Sequence, residues 1–165
     1  LAPGNPDHRR DWISVLGSAR KLGLPIVALT WSSGIVPVLA ACVDGHRPDA
    51  IVDGEGPADR WSLVPPPPSN ELGEWDPWSD SLWTDMEACR LLEYFDGSYR
   101  RLQGTEDHVH GSMLVHARRM QEKAMDLGLL DQPAQDLVGT LDRHPREVGQ
   151  ILERLLDRLS NLSSG

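Results

Sequence analysis

The segment from Leu24 to Pro37 constrains the fold of this 165-residue chain more than any other. It begins with Ile26 to Leu29, an apolar run that is too short for a helix and starts with β-branched residues, as buried strands do. A turn of small residues, Thr30 to Gly34, follows, and an apolar helical pattern begins directly after it. We therefore predict a strand, a sharp turn and a helix, with Ser32 at the turn.

Helices and strands are predicted to alternate along the rest of the chain. Apolar spacing predicts helices over Asp11–Leu22, Ile35–Val43, Leu82–Phe95, Ser112–Leu127 and from Pro145 onward. Further strands are predicted at Ala50–Val52, Tyr99–Leu102 and Asp136–Leu141. A strand, a helix and a second strand over so few residues require parallel pairing. The predicted class is α/β, with a mostly parallel sheet flanked by helices.

Two of these helices carry specific predictions about their buried faces. The residues expected to face the core in the first helix are Trp12, Val15, Leu16 and Ala19. Those expected to do so in the helix from Ser112 are Met113, Ala117, Met120, Ala124 and Leu127. His116 is expected to point partly aside and to have a structural role.

Composition limits the chain to one domain. With 165 residues, 39% of them hydrophobic, it can bury one sizeable core, so we predict a single domain over residues 1–165. The formal net charge of -9 opposes binding to nucleic acid or to an anionic membrane. No apolar run approaches the roughly 20 residues that a membrane span requires. Neither nucleic acid nor a membrane is an expected partner.

The cysteines and the first residues indicate a cellular compartment. Cys42 and Cys89 lie far apart and lack metal-ligand spacing, so we expect free or buried thiols in a reducing environment. Residues 1–10 are polar and rich in Pro and Gly, unlike a signal peptide. These features predict a cytoplasmic protein, and the first residue, Leu1, is consistent with the interior of a longer one.

The turn Thr30-Trp31-Ser32-Ser33-Gly34 resembles the nucleophile elbow of the α/β-hydrolase family, Gly-x-Ser-x-Gly, with Thr in place of the first Gly. The resemblance implies that Ser32 is a nucleophile and that the backbone N–H of Ser33 is one oxyanion donor. An ordinary helix cap is the alternative interpretation of a serine in this position.

A second stretch resembles the same family in the same chain order. Gly104-Thr105-Glu106-Asp107 follows a predicted strand and matches the Gly-x-x-Asp turn that carries the family's catalytic acid. The family's catalytic histidine lies between the last strand and the final helix, where this chain has His144. The resemblance implies Asp107 as the acid and His144 as the base, with His110 as the substitute base. A histidine that merely precedes a helix is the alternative for His144.

These residues together imply a serine hydrolase of the esterase or peptidase type. Ser32 would attack a carbonyl carbon, His144 would accept the serine proton and later return it, and Asp107 would orient His144. The expected substrate is a small ester or peptide, and no cofactor is expected. A non-catalytic binding or assembly domain with the same fold is the alternative function.

The resemblance covers nearly all of this chain but only the carboxyl-terminal half of the family's domain. About four strands are predicted, whereas the family's sheet has about eight. The family's second oxyanion donor follows an early strand, and no strand is predicted here before Asp11. The family's amino-terminal strands are thus expected to be absent. An open sheet edge would favour pairing, and a homo-oligomer is one form of it.

Residues 58–95 have the composition of a lid over the sheet. They contain a run of four prolines, Pro65–Pro68, an acidic segment and four of the chain's six tryptophans. We predict that Trp31 and Trp61 bind substrate. Packing of a cap, without contact to substrate, is the alternative for these aromatic residues.

The sequence fits a metal site less well than it fits a serine hydrolase site. Asp107, His108, His110 and His116 offer ligands close together, but their spacing matches none of the strong zinc patterns. We therefore predict no metal.

A dinucleotide-binding loop is also disfavoured. Gly54 and Gly56 follow a predicted strand, but Pro57 and the polar residues after it do not open an amphipathic helix with a third glycine.

Overall fold

The computed structural model describes residues 6–59, 87–106, 113–129, 135–137 and 144–162. Its helices are α1 (Pro6–Arg20), α2 (Ile35–Val43), α3 (Ala88–Leu91), α4 (Met113–Asp126) and α5 (Pro145–Leu162). Its strands are β1 (Val27–Trp31), β2 (Ala50–Gly54), β3 (Ser98–Gly104) and β4 (Gln135–Leu137). Single 3-10 turns at Ser32–Gly34 and Leu92–Tyr94 precede α2 and follow α3. None of the described helices is long and apolar enough to cross a membrane.

The four strands form one parallel sheet in the order β1-β2-β3-β4. Trp31 pairs with Gly54, and Gly54 pairs with Leu102, so β1 and β2 end side by side. Parallel strands point their carboxyl ends to one edge, and the segments that follow them begin there. The predicted α/β class and parallel sheet are confirmed, and β4 begins one residue before the predicted strand.

One face of the sheet holds the larger core. Side chains alternate along a strand, and Ala28, Ile51 and Tyr99 lie in register on this face. α2 covers it, and every residue of α2 from Ile35 to Cys42 is buried. Residues of α3 and α4, Leu91 and Met120 among them, complete this cluster. The predicted all-apolar helix at Ile35–Val43 is confirmed.

The opposite face is covered by α5. Val52 and Leu102 pack there against Val148, Ile151 and Leu155, which recur at helical spacing along α5. Pro145 occupies the first helical position, where its missing N–H costs nothing. The apolar stripe of this helix therefore fixes which way it faces.

α1 begins five residues before the predicted start. Pro6 takes the first helical position and Asp7 supplies an acidic first turn, and both favour a helix start. Leu16 is buried as predicted, but Val15 is exposed. The helix packs on one side only, so the predicted stripe was too wide. Gly23, with φ +67, follows its end.

The helix predicted over Leu82–Phe95 is much shorter in its described part. Residues 82–86 lie outside the described residues, and from Ala88 the helix lasts four residues before a 3-10 turn. Phe95 is extended, with φ -106 and ψ 137. The chain must leave the helix here because Gly97 packs against the Asp49 carbonyl and the Ser98 N–H donates to that carbonyl at 3.0 Å.

Two predictions for the helix from Ser112 are wrong. His116 does not point aside: it is buried, and its Nδ1 accepts the Ala58 backbone N–H at 3.0 Å. An imidazole nitrogen that accepts carries no proton, so this ring is a tautomer protonated at Nε2 when neutral. Leu127 lies beyond the end of α4 and is partly exposed, and Leu129 occupies the core instead.

The predicted lid falls largely outside the described residues. Residues 60–86, which hold Trp61 and the proline run, are not described. The Trp-rich lid stays a prediction, as does the single-domain boundary.

Candidate active site

Ser32 lies at the carboxyl end of β1 in a left-handed backbone conformation. Trp31 is still extended, with φ -133 and ψ 130, whereas Ser32 has φ +52 and begins the 3-10 turn that leads into α2. Positive φ is uncommon for residues other than glycine and costs about 1–3 kcal/mol, so it persists only where the surrounding structure imposes it. Ser32 is partly exposed. The backbone thus bends sharply where the sequence places a hydroxyl.

Thr30 occupies the position at which the Gly-x-Ser-x-Gly motif has its first glycine. Its side chain is buried on the α2 face, and its Oγ1 donates to the Val52 carbonyl at 3.4 Å. A β-carbon placed on Gly34 would lie 3.8 Å from the Thr30 β-carbon, which is an ordinary van der Waals distance. The strand and helix therefore accommodate Thr30 without a close approach.

Ser33 and Trp31 flank Ser32. Ser33 is partly exposed within the 3-10 turn, among the first N–H groups of the helical segment, which have no acceptor inside a helix. Trp31 is 42% exposed and lies on the α5 face of the sheet. These three predicted site residues are adjacent because they are consecutive in sequence.

A second strained residue lies beside Ser32. Because Trp31 pairs with Gly54, Ser32 and Glu55 each follow directly on neighbouring strands, and Glu55 has φ +56. The Glu55 Oε1 accepts the Gly104 backbone N–H at 3.1 Å, and the Glu55 N–H donates to the Leu102 carbonyl at 3.0 Å. Gly104 is the first residue of the predicted acid turn. Glu55 therefore joins the ends of β2 and β3.

A buried ion pair lies beneath these turns, on the α2 face. Arg101 Nη1 donates to Asp53 Oδ2 at 2.7 Å, with side-chain exposures of 1% and 0%. The Tyr99 hydroxyl donates to the same oxygen at 2.6 Å, and Arg101 Nη2 donates to Gln103 Oε1 at 2.7 Å. This cluster was missed from the sequence, because Asp53 and Arg101 are 48 residues apart and only strand pairing places them side by side.

The cluster shifts the pKa values of two of its members. Burial raises the pKa of the Tyr99 hydroxyl well above its usual value, and the charge of Asp53 raises it further. Burial is the largest single effect on Arg101 and lowers its pKa, but the attraction and hydrogen bonds of Asp53 and Tyr99 together raise it above its usual value. Arg101 is therefore charged and Tyr99 protonated at neutral pH.

His144 lies directly before α5. Its side chain is about one-fifth exposed, and its Nδ1 is 3.8 Å from Glu147 Oε2, one turn along the chain. It follows β4 and precedes the final helix, as predicted. Asp107, His110 and Trp61 lie outside the described residues, so the predicted triad remains a prediction. Among the residues that are described, no cluster of three or more His, Cys, Asp or Glu side chains could hold a metal ion.

Several solved structures with a similar fold are of lipases and esterases. A monoacylglycerol lipase of Paleococcus ferrophilus matches with a TM-score of 0.56 and 16% identity over 92% of this chain and 74% of its own. A lipase/esterase of Lactobacillus plantarum matches with a TM-score of 0.53 and 14% identity over 79% of this chain. A structure from work on carboxylesterases of Nitrososphaera gargenis matches with a TM-score of 0.51 and 14% identity. The described residues form part of an α/β-hydrolase fold.

This partial α/β-hydrolase fold agrees with the family resemblance of the turn and the strand order. The matched region is 56% of the Lactobacillus plantarum chain, so this sequence spans just over half of that protein. No protein-family model and no curated protein matches the sequence. At such low identities the similarity establishes the α/β-hydrolase fold and leaves the chemistry to this chain's own residues.

Proposed function

We propose that this chain is a serine hydrolase that cleaves an ester or amide bond with Ser32 as its nucleophile. The observation that carries the proposal is the positive φ of Ser32 at the junction of β1 and α2. Strained backbone at an element junction is typical of functional sites. Similar solved structures are of a lipase/esterase and a monoacylglycerol lipase, which agrees with hydrolysis as the reaction class.

The proposed chemistry assigns a role to each residue at the sheet edge. A serine hydroxyl attacks a carbonyl carbon only when a base takes its proton, and His144 is the proposed base, with Asp107 orienting its ring. The Ser33 N–H would donate to the oxyanion that forms. Trp31, partly exposed beside Ser32, is proposed to contact an apolar substrate together with Trp61. A cytoplasmic location belongs to the same proposal.

A fluorophosphonate probe tests the nucleophile. We expect the folded wild-type protein to be labelled at Ser32, as located by mass spectrometry of its peptides. Ser32→Ala should abolish labelling, whereas Ser33→Ala, the matched control, keeps the hydroxyl of Ser32 and the backbone N–H at position 33. A folded protein that no probe labels would favour the non-catalytic binding domain instead.

The same probe identifies the base. Loss of a general base typically slows a reaction about 10²- to 10⁴-fold, so His144→Gln should slow labelling by that factor. His110→Gln should leave the labelling rate within twofold of the wild type. The reverse result would assign the base to His110 and would contradict the role given to His144.

A further inference from the structure

Both backbone groups of Gly56 are held by buried charged side chains. Its N–H donates to Asp53 Oδ1 at 3.1 Å, and its carbonyl accepts from Arg101 Nη1 at 2.6 Å. Asp53 and Arg101 are themselves paired, so the three groups form a closed set of hydrogen bonds. Gly56 therefore has little freedom to move relative to the ends of β2 and β3.

Gly56 in turn packs against the Ser32 turn, which we define as residues 32–34, and against the start of α2. A β-carbon placed on Gly56 would lie 3.1 Å from the Ser32 carbonyl oxygen and 2.7 Å from Ile35 Cγ2. These two atoms belong to the first residue of the turn and the first residue of α2. The backbone of Gly56 therefore forms one wall against which the turn rests.

Stability alone gives a weak reason for an ion pair at this position. Taking two charges out of water costs free energy that their attraction often fails to recover, and apolar replacements of similar size are often as stable. Arg101 also has a buried Nε that finds no acceptor in the described part of the chain. Unlike an apolar core, the pair fixes the position and orientation of Gly56, because Asp53 accepts its N–H and Arg101 donates to its carbonyl.

We propose that Asp53 and Arg101 are positioning residues, which hold Gly56 against the Ser32 turn and thereby keep Ser32 in its reactive backbone conformation. This inference rests on the proposed function, since it assigns a task to residues that touch no substrate. Its physical consequence is specific: removing the pair relaxes the turn without unfolding the sheet.

The double variant Asp53→Leu with Arg101→Met tests this role. It removes both charges and both hydrogen bonds to Gly56 and leaves side chains of similar size. The maximal rate constant for inactivation by the fluorophosphonate, called here the inactivation constant and measured per folded molecule, should fall about 10- to 100-fold. A fall of this size is expected for a small displacement of a reacting group. The concentration of probe at half-maximal rate should stay within twofold, because the substrate contacts are unchanged.

Two further variants separate positioning from a general loss of stability. Arg101→Lys cannot hold Asp53, Gly56 and Gln103 together, so it should slow inactivation. Because it keeps a charge beside Asp53, it should slow inactivation less than the double variant does. Arg119→Met removes a charged partner of Asp59, a buried carboxylate outside the set formed by Asp53, Arg101 and Gly56. It should lower the thermal midpoint and leave the inactivation constant within twofold.

Hydrogen exchange of the peptide containing residues 30–36 gives a readout that needs no activity. Exchange there should be at least tenfold faster in the double variant than in the wild type, while the exchange rate of the β3 backbone amides stays the same. Equal inactivation constants in a folded double variant would overturn the inference and leave the proposed function intact. Wild-type protein that takes no label would overturn the proposed function, and exchange would then decide: faster exchange supports the hold on the turn, and equal exchange overturns it.

Discussion

Gly56 is the residue where one added methyl group would disturb the candidate site most. The new β-carbon would lie within 2.7 Å of Ile35 Cγ2, and it would also press on the side chain of Asp53, which is fixed by Arg101. Overpacking of this kind typically costs about 1–3 kcal/mol. We expect Gly56→Ala to lower the free energy of unfolding by that amount, measured by urea denaturation.

Gly17→Ala is the matched control for Gly56→Ala. It lies within α1, and a β-carbon there would meet no atom within 4 Å. Alanine in a helix interior is about 0.5–1 kcal/mol more favourable than glycine, so Gly17→Ala should raise the free energy of unfolding. Gly56→Ala with wild-type stability would contradict the packing described here.

At the scale of elements, α5 offers a direct comparison between its two faces. Ile151 is fully buried against β2 and β3, whereas Leu156 is exposed. Truncation of a buried isoleucine to alanine costs about 2–5 kcal/mol, and an exposed substitution usually changes stability by less than about 0.5 kcal/mol. Ile151→Ala should therefore shift the urea midpoint strongly and Leu156→Ala hardly at all. Equal shifts would mean that α5 does not pack through this face.

The elements that the sequence predicts best are those whose determinants are local. α2 and α5 begin at Ile35 and Pro145 as predicted, because an apolar run and a proline at the first helical position are visible within one turn. The strand-to-helix turn at Ser32 was predicted from its small residues for the same reason. Its positive φ fits that prediction.

The residues that sequence reasoning missed have partners far along the chain. Arg101 has no local feature that marks it as buried, and only the pairing of β3 with β2 places it beside Asp53, 48 residues away. His116 likewise finds its partner, the Ala58 N–H, 58 residues away. The glycine at position 56 was considered only as part of a nucleotide loop, although its close contact with Ser32 explains it better.

At the scale of the whole molecule, buried acidic groups limit stability in alkali. Burial raises the pKa of the fully buried Cys42 thiol from 9.0 to about 12, although the charge of Arg47 opposes this rise. Between these values the unfolded chain releases the proton and the native protein keeps it. The free energy of unfolding should thus fall as the pH rises above 9, by at most about 1.4 kcal/mol per pH unit for this group.

Cys42→Ala isolates this contribution. Tyr99, whose pKa is also raised by burial, keeps its own destabilising effect above about pH 10. Urea denaturation of both proteins from pH 7 to pH 11 should therefore give a shallower decline for the variant, even though the small void lowers its stability at pH 7. Parallel curves would show that Cys42 does not titrate with unfolding.

The side of β1 that faces away from β2 is an edge that no described strand covers. β1 pairs with β2 on one side and with no described strand on the other, and Leu29 and Trp31 are each 42% exposed along it. An exposed apolar edge strand promotes association, and a lysine on such an edge opposes it. We expect the 165-residue chain to self-associate with rising concentration in sedimentation velocity, and Leu29→Lys to shift it toward the monomer. Leu24→Lys, at a more exposed residue that precedes β1, adds the same charge outside the strand and should have little effect. If both lysines acted equally, net charge and not the strand edge would control association.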